Sequence, residues 1–223
     1  MKIAIFGDIH GYIGVSDIPT IDVVVQLINH TEASIVLQVG DMCGYRHFSK
    51  PVYWIYGNND SLTLMEENKQ NISSIENLNN IKTGDVVTLS SKDEKIRVSG
   101  LNGAYDPIYY YYKREQLSDL GFFVESDIEK CLTLEDIDIF LAHGCPSGLG
   151  FGREPDHGVP ALRKILEAVR PRFMFCGHAH FYHKVEYSGS VIYALDLANK
   201  EYYVLDTATD KLDVIKVDPE LFT

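Results

Sequence analysis

Apolar residues in this chain come in short blocks, and five of these blocks stop at a polar residue that can bind a metal. The blocks are Ile3-Ala4-Ile5-Phe6, Ile35-Val36-Leu37-Gln38-Val39, Val52-Tyr53-Trp54-Ile55-Tyr56, Ile139-Phe140-Leu141-Ala142 and Phe173-Met174-Phe175-Cys176. Nearly continuous apolar runs of this length read as strands covered on both faces. The pattern predicts strands at 2–7, 34–39, 51–56, about 85–89 and 95–99, 137–142, and from 173. A 3.6-residue period predicts a helix near 18–30, with Pro19 at a first helical position and Ile21, Val24, Val25 and Ile28 on one face. A second helix, near 159–169, lines up Val159, Leu162, Ile165, Leu166 and Val169, and Pro171 ends it. Shorter helices are expected near 61–69 and near 126–134, the latter from Ser126 and Glu129 at capping-box spacing. The C-terminal part alternates as hairpins at about 182–187, 190–195, 201–206 and 212–217, with turns at Ser188-Gly189 and Thr209-Asp210. The stretch from Gly100 to Leu134 is irregular, and Gly144 to Gly158 reads as a long loop. Strand and helix alternate in the first half, which implies a parallel or mixed sheet with helices outside it.

The polar residues that close the five blocks are Asp8-Ile9-His10, Gly40-Asp41, Gly57-Asn58-Asn59-Asp60, His143-Gly144 and Gly177-His178-Ala179-His180. Loops at the carboxyl ends of strands gather on one edge of a sheet. Asp8, His10, Asp41, Asn58, His143, His178 and His180 are then expected to meet. Carboxylate, imidazole and amide oxygen together suit a pair of divalent ions. One arrangement gives Asp8, His10 and His180 to one ion, and Asn58, His143 and His178 to the other, with Asp41 bridging. Bridged ions ~3.5–4 Å apart activate water and bind phosphoryl oxygens. Singly, Gly40-Asp41 and Gly57-Asn58 read better as turn residues closing strands, and Asp8-Ile9-His10 is a pattern that often arises by chance. Two imidazoles at i and i+2 after a strand are more specific, and the ordered set is more specific still.

Bulk properties set limits. With 223 residues the chain fits one domain, expected to span 1–223. No apolar run approaches the ~20 residues that span a bilayer, and the N-terminal stretch lacks a signal-peptide pattern. A cytoplasmic location without membrane partners is the expectation. The formal charge of −12 opposes extended nucleic-acid binding, which needs a basic footprint. It leaves a small phosphoester substrate open, because two dications would dominate the local field. Cys43, Cys131, Cys145 and Cys176 form no CxxC pair, so a disulfide framework is not expected.

The motif series resembles the calcineurin-like metallophosphoesterase superfamily, whose pattern is D-x-H, G-D, G-N-H-[DE], a lone His, then G-H-x-H. The resemblance runs from Lys2 to about Val217. It implies an α/β fold, a β-sandwich of two mixed sheets flanked by helices in four α/β/β/α layers. It also implies two divalent metal ions (manganese foremost, or iron, zinc or nickel) and a phosphoester hydrolase. The metal positions would be the seven residues named above. The third motif departs from the pattern, since Asn59 stands where the family usually has His. That His is taken to stabilise the transition state or protonate the leaving oxygen, and Asp60 would orient it. Asparagine can donate a hydrogen bond but cannot release a proton near neutral pH. Asn59, Asp60 and His143 are therefore the candidate catalytic side chains, and a phosphodiesterase is the expected activity. Segments 98–103, 137–146 and 161–173 are also similar to RNA lariat debranching enzymes. The alternatives are a metal-binding, non-catalytic interaction module on the same fold, and a nuclease for short or branched RNA.

Further residues have two readings. Tyr105 and Tyr109–Tyr112 could form a stacking platform for bases, or pack on the sheet edge. Lys113 and Arg114 could meet a phosphate, Arg46 and His47 could face the substrate, and His157 could replace the absent motif histidine as proton donor, or each could simply lie on the surface. His30 and His183 read as structural.

Overall fold

The computed structural model describes residues 1–13, 18–60, 74–117, 121–151, 158–218 and 220. The strands are β1 Lys2–Phe6, β2 Tyr12–Ile13, β3 Ile18–Pro19, β4 Ile35–Val39, β5 Val52–Ile55, β6 Leu78–Asn80 and β7 Val86–Ser90. Then follow β8 Lys95–Leu101, β9 Ile139–Ala142, β10 Phe173–Cys176, β11 His183–Tyr187, β12 Ser190–Ala194, β13 Glu201–Asp206 and β14 Lys211–Lys216. The helices are α1 Thr20–His30, α2 Glu125–Leu132 and α3 Pro160–Val169, with a single 3-10 turn at Arg114–Gln116.

Two six-stranded sheets hold most strands, in the orders β14-β13-β1-β4-β5-β6 and β11-β12-β10-β9-β8-β7. Both are mixed. In the first, β1, β4, β5 and β6 run parallel, and β13 lies antiparallel between β1 and β14. In the second, β8, β9, β10 and β12 run parallel between antiparallel edges β7 and β11.

Alternation along the strands decides which side chain goes where. Ile3, Ile5, Leu37, Val39 and Ile55 point into the space between the sheets, where they meet Ile139, Leu141, Phe173, Phe175 and Tyr193. The opposite faces carry Ala4, Phe6, Val36, Val52 and Trp54, covered by Ile21, Val24 and Ile28 of α1. On the far side Phe140, Ala142, Met174 and Cys176 pack under Ile128 of α2 and Leu162, Ile165 and Leu166 of α3. The chain is thus an α/β sandwich of two mixed sheets flanked by helices, as the sequence led us to expect.

Some details differ from the sequence reading. Pro19 is the residue before α1 and not its first helical residue. The start of α2 is closed by Asp127, whose carboxylate accepts the Val124 N–H at 3.1 Å, and not by a Ser126–Glu129 pair. The strand β6 has no apolar alternation; it forms as an edge, with Asn79 and Asn80 side chains bonding β5 carbonyls. The helix expected near 61–69 lies outside the described residues.

Parallel order sends the carboxyl ends of β1, β4 and β5 to one rim, and those of β9 and β10 to one rim of the facing sheet. Hydrogen bonds stitch these ends together: Ile9 N–H to Asp41 O at 2.9 Å, and Gly177 N–H to Ala142 O at 3.3 Å. That rim holds all five polar motifs.

Candidate metal centre

Asp8 follows β1 and is buried, and its carboxylate is the hub of one cluster. Its Oδ2 lies 2.7 Å from His180 Nε2 and 3.9 Å from His10 Nε2. The two Nε2 atoms face each other at 3.2 Å. The His178 N–H reaches both Asp8 oxygens at 3.1 Å. A second cluster lies beside it. His143, 0% exposed, places Nε2 3.3 Å from Asp41 Oδ2 and 3.1 Å from Asn58 Oδ1. Its Nδ1 sits 3.0 Å from Val39 O and 4.0 Å from Asp8 Oδ1. The ring of His178 lies 5.0 Å from that of His143.

All seven residues expected to gather are therefore on one rim. The donor atoms of Asp8, His10 and His180 lie within 4.8 Å of one another, as do those of Asp8, Asp41 and His143. Asp8 is the carboxylate common to both groups, whereas Asp41 faces His143 and Asn59.

The backbone at the rim is unusual. Asp41, Cys43, His178 and His180 have φ of 56°, 51°, 63° and 56°, the left-handed region that non-glycine residues rarely enter. Such residues cost of order 1–3 kcal/mol each and persist where neighbours hold them. Here the holders are visible. Asp60 is buried, and its carboxylate accepts N–H bonds from Asp41 at 2.8 Å, Gly57 at 2.8 Å and Cys43 at 3.0 Å. Asp8 does the same for His178. Two glycines leave room for the carboxylates. A Cβ at Gly57 would lie 2.3 Å from Asp41 Oδ1, and one at Gly177 2.4 Å from Asp8 Oδ1.

Asn59 does not project freely from the rim. Its backbone N–H donates to Asp41 Oδ1 at 2.8 Å and its side-chain amide to Asp41 Oδ2 at 2.7 Å. Burial opposes charge on Asp41, but hydrogen bonds and charge from His143 and the two Asn59 N–H groups hold its carboxyl at about 2. Burial pushes Asp60 up to about 6 against its backbone partners. Burial also disfavours charge on His143, but Asp41 and Asp8 outweigh it and raise the imidazole to about 9. Burial and then the charge of His143 lower His178, whereas the hydrogen bond to Asp8 raises His180.

These residues fit a pair of divalent cations. Two nearly fully buried carboxylates, Asp8 and Asp41, form ion pairs only with imidazoles among the described residues. The donor set is oxygen and imidazole nitrogen, suited to manganese, iron, zinc or nickel. One consequence is measurable. Asp41 and Asp8 favour the charged form of His143, and a cation binding at Nε2 must displace the proton held there. Metal affinity is expected to rise with pH up to about 9, with net proton release from His143 and from the charged fraction of His180. Calorimetry in buffers of different ionisation enthalpy measures this, and an affinity flat over that range would contradict it.

Several supporting residues escaped the sequence reading. Gln38, polar within the β4 run and 1% exposed, bonds both the N–H and the C=O of Gly40. Asn102 accepts the Tyr56 N–H at 2.9 Å just before Gly57 and donates to Ile81 O at 2.6 Å. A lone amide inside an apolar block was the available signal. Other candidates sit elsewhere. Arg46 pairs with Asp22 at 2.9 Å, and His47 is exposed. His30 Nδ1 bonds Gln26 O at 2.7 Å, and His183 packs against Phe151 and Phe181. Arg114 is held by Asp127 and Phe122 O. His157 lies outside the described residues. All four cysteines are free, with Cys43 exposed and the others buried.

Known proteins bear on this geometry. No curated protein matches the sequence. Among solved structures, the protein TT1561 of Thermus thermophilus superposes with a TM-score of 0.67 at 14% identity, over 97% of this chain and 99% of that one. An archaeal phosphodiesterase gives 0.53 at 15% identity, over 97% and 100%. A putative 5′-nucleotidase from Staphylococcus aureus gives 0.60 at 14% identity, over 100% of this chain and 55% of that one. At these identities the likeness is one of fold. A sequence model described as calcineurin-like phosphoesterase matches residues 1–182, which takes in all five motifs. The chain belongs to the calcineurin-like phosphoesterase family.

Proposed function

We propose that this chain, as one domain, hydrolyses phosphodiesters with two divalent cations, manganese foremost. Asp8, His10 and His180 would hold one cation and Asn58, His143 and His178 the other, with Asp41 as the expected bridging carboxylate. The observation that carries this reading is the pair of clusters around the buried Asp8 and His143, with all seven expected donors on one rim.

When bound, such cations supply a water of lowered pKa and neutralise charge on the phosphoryl oxygens. The protein's own residues do the rest. Asp60 fixes the loops of Asp41 and Gly57 through three backbone N–H groups, which makes it a positioning residue. Val39 O fixes the His143 ring so that Nε2 faces the site. The Asn59 amide holds Asp41 and has no acidic proton to give. The leaving oxygen must therefore depart without a side-chain acid at this position. Leaving groups of low pKa, such as aryl oxygens and the better leaving groups of diesters, suffer least. The narrower likeness to debranching enzymes gains no support from the comparisons, and the substrate reading stays at phosphodiesters.

The test is hydrolysis of bis-p-nitrophenyl phosphate by chelator-stripped protein reloaded with Mn²⁺. Turnover that depends on the metal is expected. Bound metal without turnover on this diester, under manganese, iron, zinc or nickel, would favour a non-catalytic interaction module.

A further inference from the structure

The tyrosine run lies on a rigid support. Tyr110 is 6% exposed and packs edge-on against Tyr105 and Phe123, at 5.5 and 6.3 Å between ring centres. Its carbonyl accepts the Glu125 N–H at 2.8 Å, which ties the run to the start of α2. Tyr111 stands edge-on to Tyr110 at 4.9 Å, with 75% of its surface exposed. Tyr112 and Ile108 are also exposed.

Tyr111 and Tyr112 wall a cavity of about 330 Å³ together with Lys113, Arg114, Glu115, Glu125, Ser126 and Glu129. Glu125 and Glu129 are four apart on α2, so their carboxylates share a face and repel. Neither these nor Glu115 forms an ion pair among the described residues. Arg114 is already committed to Asp127. Lys113 is then the one unpaired cation against three carboxylates, among the described residues. This field repels phosphate, so the run is ill-suited to hold a phosphoester substrate. It attracts a cation, and exposed tyrosine faces bind cations as well.

We propose that this tyrosine–glutamate pocket is a docking site for an arginine or lysine side chain carried on an apolar-flanked segment of a partner protein. The carboxylates and rings select the cation. The exposed rings of Tyr111 and Tyr112 add apolar surface that a small free cation leaves uncovered. The chain's charge of −12 complements a basic partner.

The experiment is calorimetry on the full chain with the peptide acetyl-Leu-Arg-Leu-Arg-Leu-amide. Controls are the same peptide with glutamate in place of arginine, and spermidine. The arginine peptide is expected to bind at least ~10-fold more tightly than either control. The double variant Glu125→Gln/Glu129→Gln should weaken it at least ~10-fold, and Tyr111→Ala at least ~3-fold. Melting temperatures of these exposed-site variants should match the parent, and Glu115→Gln is a second charge variant outside the helix. The proposal is overturned if the arginine peptide does not bind, if the glutamate peptide binds equally, or if the folded variants bind like the parent. Spermidine binding as tightly as the peptide would also overturn it, since the occupant would then be a small cation.

Discussion

Asp41→Ala is expected to abolish Mn²⁺-dependent hydrolysis of bis-p-nitrophenyl phosphate, by at least ~10³-fold, or ~4 kcal/mol of transition-state stabilisation. The reason lies in the contacts of this carboxylate. It is 0% exposed and meets His143 Nε2 at 3.3 Å and both N–H donors of Asn59. Removing it leaves an imidazole and an amide aimed at an empty space and takes away a charge the cations need. Metal binding should fail with it. The parent, in Mn²⁺ at about 100 times its dissociation constant, should gain ~2.7 kcal/mol of stability for each occupied site. The variant should gain little. Thermal melts with and without Mn²⁺ read this directly. A variant that keeps both turnover and the metal-induced shift would show that Asp41 is only a turn residue.

Asn59→His is expected to raise turnover on esters with alkyl leaving groups by ~10²-fold or more, the usual contribution of a positioned general acid. For p-nitrophenyl leaving groups, which need no proton, the change should stay within ~3-fold. Both side chains can donate to Asp41, but only imidazole can then release a proton near neutral pH. Measuring rate against leaving-group pKa separates the effects, because the variant's dependence should be shallower than the parent's. Equal slopes would mean that position 59 acts only through Asp41. Asn59→Ala, which removes the 2.7 Å grip on Asp41, should instead weaken metal binding ~10–100-fold and leave the slope unchanged.

The part of this site legible in the sequence was the part encoded in periodicity. Buried parallel strands are almost wholly apolar, so a polar residue that ends such a block marks the sheet rim. That rule brought Asp8, Asp41, Asn58, His143 and His178 together from positions up to 170 residues apart in bonding contacts. Side-chain hydrogen bonds have no such period. Nothing in Gly57-Asn58-Asn59-Asp60 tells that Asn59 turns back on Asp41, or that Asp60 accepts three backbone N–H groups. Gln38 was readable only as an odd polar residue in an apolar block. The edge strand Leu78–Asn80 was invisible because two of its three residues are asparagines that work by bonding β5 carbonyls. The left-handed φ of Asp41, Cys43 and His178 is likewise held by tertiary contacts that the sequence does not display.

The most direct measurement is anomalous diffraction at the manganese edge from crystals soaked in Mn²⁺. Two peaks ~3.5–4 Å apart are predicted, one against Asp8, His10 and His180 and one against Asn58, His143 and His178, with Asp41 touching both. Peaks elsewhere on the surface, or none on this rim at saturating metal, would contradict the account.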